Sequence, residues 1–356
     1  MSNVDVDGFV NFLGQNSPSG CETGARSWLY HNTKNYKGIE LTKDVNGNIY
    51  GVINKKHDKF KVMIEGHIDE IGGQITNIDD NGFIFFRGVG GLDVKSLPSQ
   101  RVLFLNGIEG VIGKKAIHLE TEEEQVQVLK IKDMYIDCGF KDKEDALDHL
   151  QIGDWFTFKP NVSLLQNFLV CSKGIDDKVG AYIAFEVLKK LSANKKFKTY
   201  VCAAGTVQEE ICPFAVGAMT MAETIKPDVS ITIDVNFASD APNDDKNRLG
   251  DISLGNGMIV SRNADTNPIL FQFLKELMGN GCGHFQVTAD TSASGGTNAV
   301  YIRAKNKGVA SLNVGIPCRY MHTSGEVISF NDVQSTIDLL VQFIEYLRPN
   351  MSLIPE

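Results

Sequence analysis

The chain of 356 residues has seven cysteines but no C-x-x-C pair, and their number is odd and their spacing scattered. That pattern excludes a disulfide frame and a thiolate metal site as readings. Cys21, Cys138, Cys171, Cys202, Cys212, Cys282 and Cys318 mostly sit in apolar, strand-like stretches and read as reduced core residues. No stretch approaches the roughly 18 apolar residues of a membrane helix. Residues 1–15, MSNVDVDGFVNFLGQ, lack a positive region and a long apolar core, so they do not read as a secretory leader. No basic run offsets the formal net charge of -9, which argues against nucleic acid or an anionic membrane as partner. Internal repeats and low-complexity segments are missing too. The expectation is a cytoplasmic protein.

What is present is an ordinary globular composition, 42% hydrophobic and 22% charged, enough for a large core and, by length, two or three domains. The pattern changes twice along the chain. Residues 1–71 hold an amphipathic start (FVNFL), a turn signal (SPSG) and the strand-like runs GNIYGVIN and KVMIEGH. Residues 72–165 are short apolar runs separated by turn signals, among them GFIFFRG, RVLFLNG, EGVIG, MYIDCGF and DWFTF, which predicts a small, barrel-like β domain inserted into the rest. Its acidic cluster ETEEEQ at 120–125 reads as a solvated loop or hairpin. Residues 166–356 alternate buried strands (TYVCAAGT, VSITIDV, VASLNVGI) with amphipathic helices near 178–192 and from about 331 to Pro349. The fold class this predicts is α/β: a three-layer arrangement with helices on both faces of one sheet, shared by 1–71 and 166–356, plus the β insertion.

Against that frame the polar groups fall at strand exits. His67 and Asp69 end one strand, Glu209 and Glu210 another, Asp234 a third, and His322 follows a fourth; Asp176 and Asp177 precede a helix. Ligands bind at the carboxyl ends of strands in open α/β sheets. Taken singly, each has a plain structural reading: DD as a helix N-cap, EE as a solvated pair, a strand-end histidine as packing. Together they form a nitrogen and oxygen donor set without thiolate, which suits zinc, cobalt or manganese. The set is too large for one catalytic ion and suits two divalent metal ions sharing a carboxylate, the arrangement used for hydrolysis. Asp69, two residues along from His67, faces the same side and can orient its ring. Of the two adjacent glutamates, one can bind metal while the other acts as general base. His31, His57, His118, His149 and His284 have no such company, and the ASGGTNAV stretch at 293–300 lacks the lysine of a phosphate-binding loop.

At these residues the chain resembles the dinuclear-metal glutamyl (deblocking) aminopeptidases, whose self-compartmentalised members are the tetrahedral aminopeptidases. The likeness runs nearly end to end through GHIDEIG, GIDDKVGAY, GTVQEE, ITIDV, GGTNAVYI, IPCRYMHT and GEVISFNDV, and through EGVIGKKAIHL, MYIDCGF and IGDWFTF in the insertion. The resemblance implies that His67 and Asp234 hold one ion, Glu210 and His322 the other, and that Asp176 bridges them. It also implies Glu209 as general base, Asp69 as the orienting partner of His67, and a cis peptide between Asp176 and Asp177. The substrates it implies are peptides with a free N-terminus. The insertion becomes a dimerisation or assembly domain of a homo-oligomer, from dimer to dodecamer. The chain departs from such relatives at Asn298, where aspartate is usual, at Phe237 and Ser239, where histidine and glycine are usual, and at the Thr-Ser after His322. Carboxypeptidase or N-acyl amino-acid deacylase chemistry on the same metals, a glycosidase using the glutamate pair, and a non-catalytic scaffold are the competing readings.

Overall fold

The computed structural model describes residues 4–211, 215–279, 281, 283–289 and 297–355. Strands β1 (Glu40–Lys43), β2 (Ile49–Ile53) and β3 (Lys61–His67) open the main sheet. The chain then leaves it for β4 (Gly72–Ile78), β5 (Ile84–Val89), β6 (Arg101–Phe104), β7 (Glu109–Gly113), β8 (Tyr135–Asp137) and β9 (Trp155–Phe158). These close into a barrel in the order β4-β5-β8-β7-β6-β9. It has its own core of Ile75, Ile84, Phe86, Val102, Phe104, Ile112, Ile136, Phe156 and Phe158. Strands β10 (Ser163–Leu164) and β11 (Leu169–Ser172) lead back. β12 (Tyr200–Thr206), β13 (Val229–Phe237), β14 (Ile259–Ser261), β15 (Gln286–Thr288) and β16 (Ala310–Cys318) complete the main sheet, and β17 (Glu326–Ser329) pairs with β11.

The main sheet runs β1-β2-β12-β3-β13-β16-β14-β15. Its centre, β12-β3-β13-β16, is parallel throughout, while β2 and β14 pair antiparallel to it on either side. Central parallel strands are covered on both faces and so are apolar almost without interruption. Alternate residues of β3 show it: Val62 and Ile64 join the core beneath the helices Val6–Leu13, Thr23–Thr33, Ile175–Ala193, Pro268–Gly279 and Phe330–Tyr346. Met63 joins the opposite core, under Val216–Ile225 and Asn298–Arg303. This is the three-layer α/β sheet with a β barrel set between β3 and β11 that the pattern predicts.

Two local differences stand out. The ETEEEQ stretch is no hairpin but a single exposed helical turn, Glu122–Gln125. Thr121 accepts from the Glu124 backbone and the Glu124 carboxylate reaches back to the Thr121 backbone, a reciprocal cap that a solvated acidic run does not need but that S/T-x-x-E allows. The strand β4 escapes a periodicity reading, because its exposed Thr76 and Asn77 and half-exposed Gln74 break the apolar run.

A buried ionic joint locks these parts together. The Glu70 carboxylate, 1% exposed, accepts from the Ser17 backbone at 2.8 Å and pairs with Lys173 at 2.6 Å and Lys178 at 2.9 Å. Lys173 also donates to Gln15 O and to Thr157 Oγ1 of β9, both at 3.3 Å. One carboxylate thus joins the N-terminal segment, the exit of β3, the barrel and the start of the long helix. Burial works against both charges, yet the two lysines hold the Glu70 pKa below its usual range. Removing the carboxylate strands two buried ammonium groups. Glu70→Ala is therefore expected to cost about 3–5 kcal/mol in chemical denaturation; a loss well under that would mean the lysines find other partners or water.

Candidate metal centre

The four parallel strands deliver their carboxyl ends to one edge of the sheet, and the acidic and imidazole groups collect there. His67 is the last residue of β3, Asp234 lies in β13, Glu209 and Glu210 follow β12, and His322 follows β16. Asp176 comes from the start of the long helix, where Asp176 and Asp177 depart from helical dihedrals and are joined by a cis peptide, as the resemblance implies. Helix and strand meet closely here: a Cβ on Gly66 would lie 2.3 Å from the Ala181 backbone, so only glycine lets the helix press on β3 beside His67.

The ligand atoms of His67, Asp176 and Asp234 lie within 4.8 Å of one another, and so do those of Asp176, Glu210 and His322. Asp176 belongs to both groups, one oxygen to each. Its Oδ1 is 3.1 Å from His67 Nε2, and its Oδ2 is 3.3 Å from His322 Nε2. Asp234 Oδ1 stands 3.9 Å from His67 Nε2, and Glu210 Oε2 3.6 Å from His322 Nε2. The other nitrogen of each ring faces a carbonyl: His67 Nδ1 is 3.1 Å from Asp69 O, and His322 Nδ1 is 2.8 Å from Gly91 O. A carbonyl only accepts, so each Nδ1 carries a proton and each Nε2 is turned to the carboxylates.

The turn after Val207 resolves the adjacent glutamates. Gln208 takes the left-handed conformation, φ 60°, which swings the chain out of β12. Asp69 then accepts both following backbone amides, Glu209 N at Oδ1 (3.1 Å) and Glu210 N at Oδ2 (3.0 Å). Asp69 also stands 3.5 Å from His67 Nδ1. Glu210 is brought into the second group, while no described residue hydrogen-bonds the Glu209 carboxylate.

Three carboxylates outside the two groups share a pattern that sequence reading does not reach. Each accepts two backbone N–H groups and so ties its own segment to another. Asp69 joins the exit of β3 to the glutamate turn. Asp177 accepts His67 N at 3.0 Å and Gly180 N at 3.0 Å, joining helix to β3. Glu326, buried at the head of β17, accepts Asp176 N at 3.1 Å and His322 N at 2.9 Å. Glu326 lies inside GEVISFNDV, yet nothing in that string signals a partner 150 residues away. Gly91, in RGVGGLD of the barrel, is the other unforeseen contributor. Of the departures, Asn298 donates to Glu65 Oε2 at 2.9 Å and Thr206 Oγ1 at 3.0 Å beneath the centre. Ser239 is buried and bonds the Gly250 carbonyl and Ile252 amide, and Phe237 is partly exposed at the end of β13. The residues 290–296, within ASGGTNAV and before it, lie outside the described residues, as do Cys212 and Cys282; the five described cysteines are free thiols.

The electrostatics are those of a cation site. Burial, then repulsion from Asp176, raises the carboxyls of Asp234 and Glu210 well above their usual range. Burial pushes Glu209 up to about 7 and Glu326 to about 8. Burial opposes the imidazolium forms, yet Asp176 and Asp69 hold His67 well above its ordinary value, and Asp176 and Glu210 take His322 to about 10. Asp176 is held well below, because both histidines offset its burial, and His67 lowers Asp69 against its burial as well. Glu210 Oε1 is buried with no hydrogen-bond partner among the described residues, the orphaned acceptor that a bound cation would satisfy.

A family model described as M42 glutamyl aminopeptidase matches residues 47–339. The chain belongs to that family. A lysyl aminopeptidase of Pyrococcus furiosus is 30% identical over 87% of this chain and 88% of its own length. The crystal structure of a TET aminopeptidase from a marine-sediment thaumarchaeon shares 25% identity over 96% of each chain, with a TM-score of 0.89. A Pyrococcus horikoshii TET1 peptidase, described as assembling into a tetrahedron or a large octahedral shell, shares 27% identity over 96% and 98% of the two chains, with a TM-score of 0.82. The family is one of metal-dependent aminopeptidases, and membership makes this chain a peptide hydrolase that uses divalent metal ions.

The charge balance carries a pH dependence. Folded Glu209 and Glu326 keep protons that the unfolded chain releases near 4.5, so their stabilising contribution is full below that pH and is lost as pH rises through about 7 and 8. His67 and His322, raised above 6.5, act in the same direction at the upper end. In chelator, the thermal midpoint is expected to fall as pH rises from about 5 to 8, and saturating divalent cation should flatten that slope. A midpoint that climbs over this range without metal would contradict the assignment.

Proposed function

We propose that the chain is a two-metal aminopeptidase in which His67, Asp176 and Asp234 hold one divalent ion and Asp176, Glu210 and His322 the other. Zinc suits the mixed nitrogen and oxygen donors best, with cobalt and manganese as substitutes. The observation that carries this reading is Asp176, one oxygen in each of two ligand groups, beside a glutamate that belongs to neither. When bound, the ions polarise the scissile carbonyl and lower the pKa of the attacking water. Glu209 accepts the proton of that water and passes it to the leaving amine. Its pKa of about 7 and the lack of any hydrogen bond to its carboxylate from described residues suit a base that works near neutrality. Asp69 orients His67 and holds the turn that separates Glu209 from Glu210. The acidic surroundings favour a substrate with a free, positively charged N-terminus.

A substrate carboxylate is less well served. Arg319, three residues before His322, is engaged by Asp240 through two hydrogen bonds of 2.7 Å, which weighs against carboxypeptidase or N-acyl deacylase activity. Aminoacyl-p-nitroanilides should be cleaved, N-acyl amino acids should not, and chelator should abolish turnover. Glu209→Gln should lose about 10²–10⁴ in rate with metal content unchanged. Full activity in that variant would remove Glu209 from the mechanism.

The segment 72–165 serves, in this proposal, as the assembly domain, with a second copy of the chain as its partner. Ile117, Leu119, Val126 and Val128 are 60–83% exposed and cluster in sequence on this domain, a large apolar display for a lone subunit. Replacing all four by serine should shift sedimentation velocity from an oligomer to smaller species while leaving the far-ultraviolet circular dichroism of the chain unchanged. Unaltered sedimentation would assign assembly to another surface.

A further inference from the structure

The inserted barrel reaches the metal centre itself. Strand β4 begins five residues after His67, and its first residue, Gly72, pairs with Val89, the last of β5. The β4-β5 hairpin thus travels out and returns its end to the point of departure. The turn that follows, Gly90–Gly91, lies against two members of the second ligand group. A Cβ on Gly90 would stand 3.2 Å from Glu210 Oε2, and a Cβ on Gly91 would stand 2.8 Å from His322 Nδ1 and 3.1 Å from its Cε1. Between those glycines and His322 runs the bond from His322 Nδ1 to Gly91 O, 2.8 Å.

His322 has little else to hold it. It is a third exposed and sits in the left-handed region, φ 63°, on the loop after β16. Its backbone is pinned by Glu326, but among the described residues its ring is oriented by the Gly91 carbonyl alone, apart from the carboxylates it faces. A histidine that ligates a metal through one nitrogen commonly donates its other N–H to a carbonyl or carboxylate, and that partner fixes both tautomer and ring direction. His67 takes its partner, Asp69, from its own strand exit. His322 takes its partner from the other domain.

We propose that Gly91 is a positioning residue of the metal centre: its carbonyl presents His322 Nε2 to the Asp176–Glu210 side, so the barrel sets the affinity for the second ion. Two requirements converge on glycine at 91. The carbonyl must approach the ring, and no Cβ can occupy the space the ring fills. Gly91 itself lies outside the left-handed region, unlike Gly90 at φ 80°, so alanine is tolerated by the backbone at 91 and excluded by His322.

This inference rests on the two-ion reading above, and zinc titration of the apo-protein separates the two. Wild-type chain should bind two Zn2+ per subunit; a single ion or none would defeat the two-ion reading. Gly91→Ala should weaken one of the two ions by about 10–100-fold and leave the other nearly unchanged. In a His322→Ala background, Gly91→Ala should change zinc binding no further, since the two residues act through one contact. Two ions bound with wild-type affinity by Gly91→Ala, or an equal added loss in the His322→Ala background, would overturn the role of Gly91 while leaving the two-ion reading intact. Histidine 15N resonances of the zinc-loaded wild-type chain provide a test that needs no variant to fold. His322 should show a protonated Nδ1 and a metal-coordinated Nε2, and the reverse tautomer would overturn the proposal.

Discussion

Everything at the working edge of this molecule depends on one electrostatic fact: several carboxylates are buried within reach of one another around Asp176. Left to themselves, Asp234, Glu210 and Glu209 would have to take up protons, because burial and mutual repulsion disfavour their ionised forms. Two histidines offset only part of that charge. The remainder is a demand for cations that the fold itself creates and that, among the described residues, no lysine or arginine meets at those oxygens. The buried lysines Lys173 and Lys178 sit behind the centre, committed to Glu70.

The carboxylates around the centre divide by what they accept. Asp69, Asp177 and Glu326 each accept two backbone N–H groups, at least one of them from another segment, so their charge is spent on geometry. Together they stitch the exit of β3, the glutamate turn, the head of the long helix and the His322 loop into one frame. Asp176 and Glu210 present oxygens to the histidines instead. Such a division gives the site rigidity, since a carboxylate that accepts an amide from another segment fixes the two segments to each other. It also explains how the ends of β3 and β13, the head of the long helix and the loops after β12 and β16 hold their side chains to a common centre.

The sheet was largely legible in advance because central parallel strands are apolar on both faces, and KVMIEGH, TYVCAAGT, VSITIDV and VASLNVGI carry that mark in full. The barrel was legible as an alternation of short runs and turns, apart from β4, whose polar outer face hides it. The helix Val216–Ile225 and the helix Pro268–Gly279 were not singled out. The first is short and so rich in alanine and methionine that its stripe is faint; the second carries its own signals, Asn267-Pro268 at its start and Gly279 at its end. The acidic turn at Glu122–Gln125 was read from its charge, whereas its cap decided its conformation.

By itself the sequence determined which groups carry charge at the strand exits, and therefore that a nitrogen and oxygen site for divalent cations was at hand. Residue type and position suffice for that, because parallel strands point their carboxyl ends the same way. Only the tertiary structure decided how the adjacent glutamates part, which carboxylates accept backbone amides and which gather around Asp176, and that a glycine of the inserted barrel faces His322. Those outcomes depend on a left-handed Gln208, on amides brought together from segments as far as 150 residues apart, and on the strand pairing that returns β5 to the exit of β3. Such contacts leave no periodic trace in a chain, since each is made between residues that become neighbours only when the sheet and barrel have closed.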